Sequence, residues 1–86
     1  MQFEYDPAKS GENRQKHGID FEQAQALWNG KVVTIASRYP EEKRLLAIGQ
    51  IAERSWTAII TQRHENIRII SVRLSRAEEE ALWQRG

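Results

Sequence analysis

Four β-like stretches occupy residues 32–36, 44–51, 56–61 and 67–74, and no connection between them exceeds seven residues. A parallel pair needs a crossover of about a dozen residues or more, so consecutive strands here pair antiparallel and the C-terminal half is committed to a meander. Valine, isoleucine, threonine and tryptophan supply the strand character. The breaks are equally plain: SRYPEEK contains a proline, QIAERS holds a turn, and QRHEN is a polar hairpin connection.

Outside the meander the pattern changes to helix. Residues 2–5 read as a short strand with Phe3 and Tyr5 on one face, and Asp6-Pro7 stops it. Asp is a good N-cap and Pro suits the first helical position, so a helix starts here and runs through AKSGENRQKH to a left-handed cap at Gly18. Ala8 is its only hydrophobic residue and Gly11 weakens it, so it holds only by lying on something else. Asp20-x-x-Gln23 forms a capping box for a second helix over 21–28, with Phe21, Ala24, Leu27 and Trp28 on one stripe. Ser75-x-x-Glu78 reads as a third capping box, opening a terminal helix that turns Ala77, Ala81 and Leu82 toward the sheet. Strands run together with helices segregated from them predict an α+β fold: an antiparallel meander with two N-terminal helices and one C-terminal helix.

Eighty-six residues support one core, and 40% hydrophobic content is enough to form it. With no cysteine, thiolate metal sites and disulfides are excluded, and two separated histidines predict no metal site and no cofactor. No apolar run approaches the roughly 20 residues of a membrane helix, and the opening residues lack a basic segment followed by an apolar one, so a cytoplasmic protein with no membrane partner is expected. The formal charge of +1 attracts no nucleic acid by itself, but residues 54–73 hold four arginines against one acid, Glu65, while Glu78, Glu79 and Glu80 form an acidic run.

Taken in order, Tyr5-Asp6 with Lys9, Asn13 with Lys16-His17-Gly18, Phe21 and Ala24, Glu42 to Arg44, Gly49, Thr61 with Arg63, and Ile67-Arg68-Ile69-Ile70-Ser71-Val72-Arg73 give the sequence a close resemblance to the BrnT toxins over nearly its whole length. It departs from that pattern at Tyr5, where the family commonly has Trp, at Leu74, where it has a second basic residue, and at Trp83, where it has Tyr. The resemblance implies a RelE-like fold and a ribonuclease toxin that arrests translation. It also implies a hetero-oligomer with a BrnA-like ribbon-helix-helix antitoxin, through which alone operator DNA would be reached.

RNA cleavage without a metal needs a base for the 2'-hydroxyl, donors for the phosphorane and an acid for the departing oxygen. Arginine suits the second task because its planar fork engages phosphate in two places, which makes Arg63 and Arg73 the leading catalytic candidates. His17 is the candidate acid or base, with Lys16 beside it as a phosphate donor. Arg44, Lys9, Asn13 and Arg68 are candidate RNA-binding residues, Lys9 and Asn13 lying one turn apart on the polar helix face. Unbroken alternation along 67–73 sets Arg68 and Arg73 on opposite faces, so only one of them, Arg73, is expected at the site. Glu79 matches the family's acid and is a candidate to orient an arginine of the site; the alternative is a plain complement to the dipole of the terminal helix. The competing reading is a non-catalytic interaction or regulatory module acting with a DNA-binding partner.

Overall fold

The computed structural model describes residues 2–38 and 43–86; Glu42 of the acid–Arg motif and the proline of the SRYPEEK loop lie outside them. The strands are β1 (Gln2–Glu4), β2 (Val33–Ala36), β3 (Leu45–Ile51), β4 (Arg54–Arg63) and β5 (Asn66–Leu74). The helices are α1 (Pro7–His17), α2 (Phe21–Ala24), which tightens into a 3-10 turn over Gln25–Asn29, and α3 (Ala77–Arg85). All five strands form one sheet in the order β1-β5-β4-β3-β2.

The antiparallel meander covers β2 to β5 as the short connections require, but β1 pairs parallel to β5, with Phe3 opposite Ile67, so the sheet is mixed. The two strands lie far apart in sequence, which leaves room for the crossover that a parallel pair needs. Both tight hairpins bend through residues of positive φ: Ala52 (50°) and Glu53 (70°) join β3 to β4, and His64 (57°) joins β4 to β5.

One face of the sheet is the hydrophobic core. Ala47, Trp56, Ala58, Ile60, Ile67, Ile69 and Val72 meet Ile19, Phe21, Ala24 and Leu27 from the α1–α2 layer. Gly49 lets that layer come close: a Cβ there would stand 3.0 Å from Leu27 Cδ2. Trp28 packs edge-on to Phe3 at 4.9 Å, and Tyr5 edge-on to Phe21 at 5.7 Å, so these aromatics serve packing.

The first helix begins and ends where its caps predict. Asp6 accepts from the Ala8 N–H, and Gly18 closes the helix at φ 81°. Its contact with the sheet is polar, because Ser10 and Asn13 are buried while Ala8 is exposed. Ser10 Oγ accepts from the Phe21 N–H at 2.9 Å. Asn13 donates to the Ile19 and Val72 carbonyls at 2.8 and 3.0 Å and accepts from the Val72 N–H at 3.1 Å. Its amide thus stands in for a strand partner on the edge of β5 beyond the end of β1, meeting backbone groups that burial would otherwise leave unsatisfied. The RNA-facing position expected for Asn13 beside Lys9 on the polar helix face is therefore corrected; only Lys9 of the pair is exposed.

The Asp20–Gln23 capping box forms, with reciprocal bonds of 2.7 and 3.0 Å. At the third helix the cap falls one residue later than Ser75-x-x-Glu78 suggests. Arg76 is the N-cap, and Glu79 reaches back to its N–H at 2.8 Å, because Ser75 continues the sheet by donating its N–H to the Ser55 carbonyl. Leu82 faces the sheet as expected, but its companion is the buried Glu79, while Ala77 and Ala81 are exposed.

Candidate active site

The face of the sheet opposite the core carries Ile35, Leu46, Ile59 and Thr57, and α3 covers only part of it. The uncovered part is a hollow of about 410 Å3 under the N-terminal turn of α3. Ile35, Leu46, Ile59 and Leu82 supply its apolar surface, while Arg38, Arg44, Arg73 and Arg76 line it together with Glu78 and Glu79. Arg38 lies two residues beyond β2, Arg44 immediately precedes β3, Arg73 is in β5 and Arg76 caps α3, so the meander and the helix start together assemble the cluster.

Arg73 is the best-fixed of these groups. Its Nη1 and Nη2 donate to the two carboxylate oxygens of Glu79 at 2.7 and 2.9 Å, and Nη1 also donates to the Leu74 carbonyl at 3.3 Å. That leaves two of its five N–H donors for a ligand. Glu79 is itself buried, at 4% exposure. It accepts from Thr57 Oγ1 at 3.0 Å as well as from the Arg76 N–H, which makes it the hub that fixes the helix start, the sheet and Arg73 together. Behind it, Ser55 donates to Ser75 at 2.8 Å; Thr57 gives its proton to Glu79, so the 2.8 Å contact between Ser75 and Thr57 is donated by Ser75.

The electrostatics follow from this geometry. Burial is the largest single influence on Glu79 and alone would raise its pKa. The hydrogen bonds from Arg73, the Arg76 N–H and Thr57, with the charge of Arg73, outweigh it and hold the carboxyl down at about 2. The same hydrogen bond to Glu79 pushes the Arg73 guanidinium up, against the lowering effect of its burial, with smaller help from the charges of Glu79 and Glu78. Arg73 stays charged, and Glu79 holds no proton at neutral pH. Glu78 also lines the hollow, and its carboxylate makes no hydrogen bond among the described residues.

The other sequence candidates lie elsewhere. Arg63 pairs in register with Asn66 at the far end of β4, six residues from Thr57, the partner of Arg73. At about 3.3 Å per residue that is roughly 20 Å, so the expected convergence of Arg63 and Arg73 on one phosphate is not what the sheet builds. Arg68 corrects a second expectation. The register slips between Ile59 and Ile60, so Arg68 stands opposite Thr61 and Arg73 opposite Thr57. Five steps on β5 match four on β4, and this bulge returns both arginines to one face. Arg63 and Arg68 instead approach Glu4 at 3.8 and 3.9 Å. Lys9, Lys16 and His17 are exposed on α1 and do not line the hollow, and Asn13 is committed to the edge of β5. Arg44 does line it. Arg38 and Arg76 were not singled out by sequence, since neither sits in a motif; only their positions at element ends hint at a shared site. Among the described residues no three His, Cys, Asp or Glu side chains gather as a metal site, and no helix is long and apolar enough to cross a membrane.

An α+β domain with a hollow lined by four arginines, one of them gripped by a buried carboxylate, offers planar donors of the kind that can engage anionic oxygens in two places. The chain belongs to the BrnT family of ribonuclease toxins of type II toxin-antitoxin systems, whose family model matches residues 5–79. That span ends at Glu79, so it takes in Arg38, Arg44, Arg73 and Arg76. A comparison with curated proteins returned no match. Membership in a type II system implies an antitoxin partner.

Proposed function

We propose that the hollow beneath α3 is where this toxin cleaves RNA, without a metal ion, by transphosphorylation from the 2'-hydroxyl. The observation that carries this reading is the bidentate Arg73–Glu79 pair, with its two remaining N–H donors, among three further arginines. Held in one orientation, Arg73 meets the phosphorane oxygens without reorganising, which is where electrostatic stabilisation is most effective. Arg44, Arg38 and Arg76 bind the flanking charge. Glu79, with its carboxyl at about 2 and its oxygens engaged, is a positioning residue and no base. The base is assigned to Glu78, which shares the hollow, in place of His17, which does not: it takes the 2'-hydroxyl proton as the 2'-oxygen bonds to phosphorus, and the bond to the 5'-oxygen breaks as that oxygen takes a proton from water, leaving a 2',3'-cyclic phosphate and a 5'-hydroxyl. In the cell the consequence is arrest of translation in the cytoplasm, relieved by a BrnA-type ribbon-helix-helix antitoxin through which the complex reaches operator DNA. The antiparallel meander flanked by helices supports a RelE-like grouping.

Purified protein incubated with RNA in EDTA tests the chemistry. Cleavage should persist under chelation, and Arg73→Lys, which keeps the charge but loses the fork, should lower kcat by about 100-fold to 1,000-fold. Glu78→Gln should lower kcat by about 100-fold or more. Activity abolished by EDTA and restored by magnesium, or a fully active Arg73→Lys protein, overturns the reading.

A further inference from the structure

The far end of the same sheet face holds a second cationic group that the cleavage chemistry does not use. Arg63 and Arg68, with side chains 58% and 36% exposed, flank Glu4 at 3.8 and 3.9 Å. Those separations are ion pairs without a hydrogen bond, whereas Asn66 donates to Glu4 at 2.8 Å and fixes the carboxylate in place. One carboxylate between two guanidinium groups leaves a net positive charge. Arg63 shares the face of the hollow by plain alternation along β4, and the bulge in β5 brings Arg68 to it: with unbroken alternation Arg68 would point into the core layer. From the partner of Arg68, Thr61, to the partner of Arg73, Thr57, is four residues of β4, roughly 13 Å. That distance is a few nucleotides of extended strand. Ile59 and Thr61, both only half-buried, form the surface between the two groups.

We propose that Arg63 and Arg68 form a distal phosphate subsite, so that single-stranded RNA lies along β4 and β5 with one phosphate in the hollow and its backbone a few nucleotides away held at this second cluster. A positively charged track of this kind is how single strands are bound without sequence preference, and it makes substrate length a determinant of affinity. The placement rests on the hollow being the RNA site, but the test does not require cleavage. Glu4 tempers the subsite: its charge opposes a phosphate beside it.

Binding of fluorescent, fully 2'-O-methylated RNA, which lacks the attacking hydroxyl, is measured by anisotropy for a dinucleotide and an octanucleotide. In the Arg63→Ala/Arg68→Ala protein the octanucleotide advantage over the dinucleotide should fall on the order of tenfold. The slope of its log affinity against log salt should flatten by about 0.7, for the one phosphate that the net charge of the cluster neutralises. Glu4→Gln, which keeps an acceptor for Asn66, should move the octanucleotide affinity the other way, and it serves if the double variant fails to fold. An octanucleotide advantage that neither substitution alters overturns the subsite. So does a double variant that loses antitoxin binding while its RNA affinities stay as they were, which would make the cluster a protein-docking patch. A protein that binds the octanucleotide with the predicted dependence yet cleaves no unmodified RNA would overturn the cleavage reading and leave the subsite standing.

Discussion

Glu79 shows how one side chain joins stability to chemistry. Its folded pKa, about 2, lies below the ordinary 4.5, so the stability it contributes is fully present above about pH 4.5 and is lost as pH falls toward 2. Urea midpoints of wild type and Glu79→Gln should therefore differ most near neutrality and converge through that window; a gap that does not depend on pH would show the carboxylate contributes nothing as an ion. The pair also dictates which substitution is informative. Arg73→Ala strands a buried carboxylate and should cost about 3–5 kcal/mol, so lost toxicity in that variant reports folding as much as catalysis. Arg73→Lys keeps a cation against Glu79 and isolates the loss of the fork. The sequence left Glu79 open between orienting an arginine and complementing the helix dipole, and its partner was not legible, because Arg73 and Glu79 lie six positions apart across the strand-to-helix junction and only the folded turn brings them together.

Among the elements, those governed by local chemistry were readable and those governed by docking were not. Asp6-Pro7, Gly18 and the Asp20–Gln23 box set helix boundaries through bonds within a few residues. The second helix nonetheless ends early in a 3-10 turn, and α1 docks through Ser10 and Asn13, a contact no hydrophobic pattern announces. Asn13→Ala leaves Val72 and Ile19 backbone groups unpaired and should destabilise by about 2 kcal/mol, read from denaturant midpoints at unchanged slope. The β3–β4 hairpin runs the other way: Ala52 and Glu53 both occupy positive φ, where Asn-Gly fits without strain. Replacing the pair by Asn-Gly should stabilise the protein by about 1 kcal/mol, and no gain in the urea midpoint would contradict the strained turn.

At the scale of the whole molecule, β1 closes the fold by laying the N-terminal residues parallel to the last strand, with Phe3 between Ile67 and the ring of Trp28. Phe3→Ala should remove about 2 kcal/mol and lower Tm by about 10 °C, given a shift of about 4–8 °C per kcal/mol in a domain of this size. A Tm within 2–3 °C of wild type would mean that β1 contributes little to global stability. The same architecture separates duties between faces: the core face is filled by the α1–α2 layer, while α3 leaves the opposite face partly open, and it is there that the arginines gather.

The linear order of residues determined the α+β class, the antiparallel meander, both caps of the first helix, the N-cap of the second and the abundance of arginine in the last strands, since each depends on periodicity or on bonds between near neighbours. Tertiary structure decided which arginines share a site. A single bulge in β5 inverted the face expected for Arg68, strand register placed Arg63 far from Arg73, and a one-residue shift of the α3 cap drove Glu79 into the sheet. Register and phase are settled by which residues bury together across the sheet, and one inserted residue reverses them without leaving a mark in the local pattern.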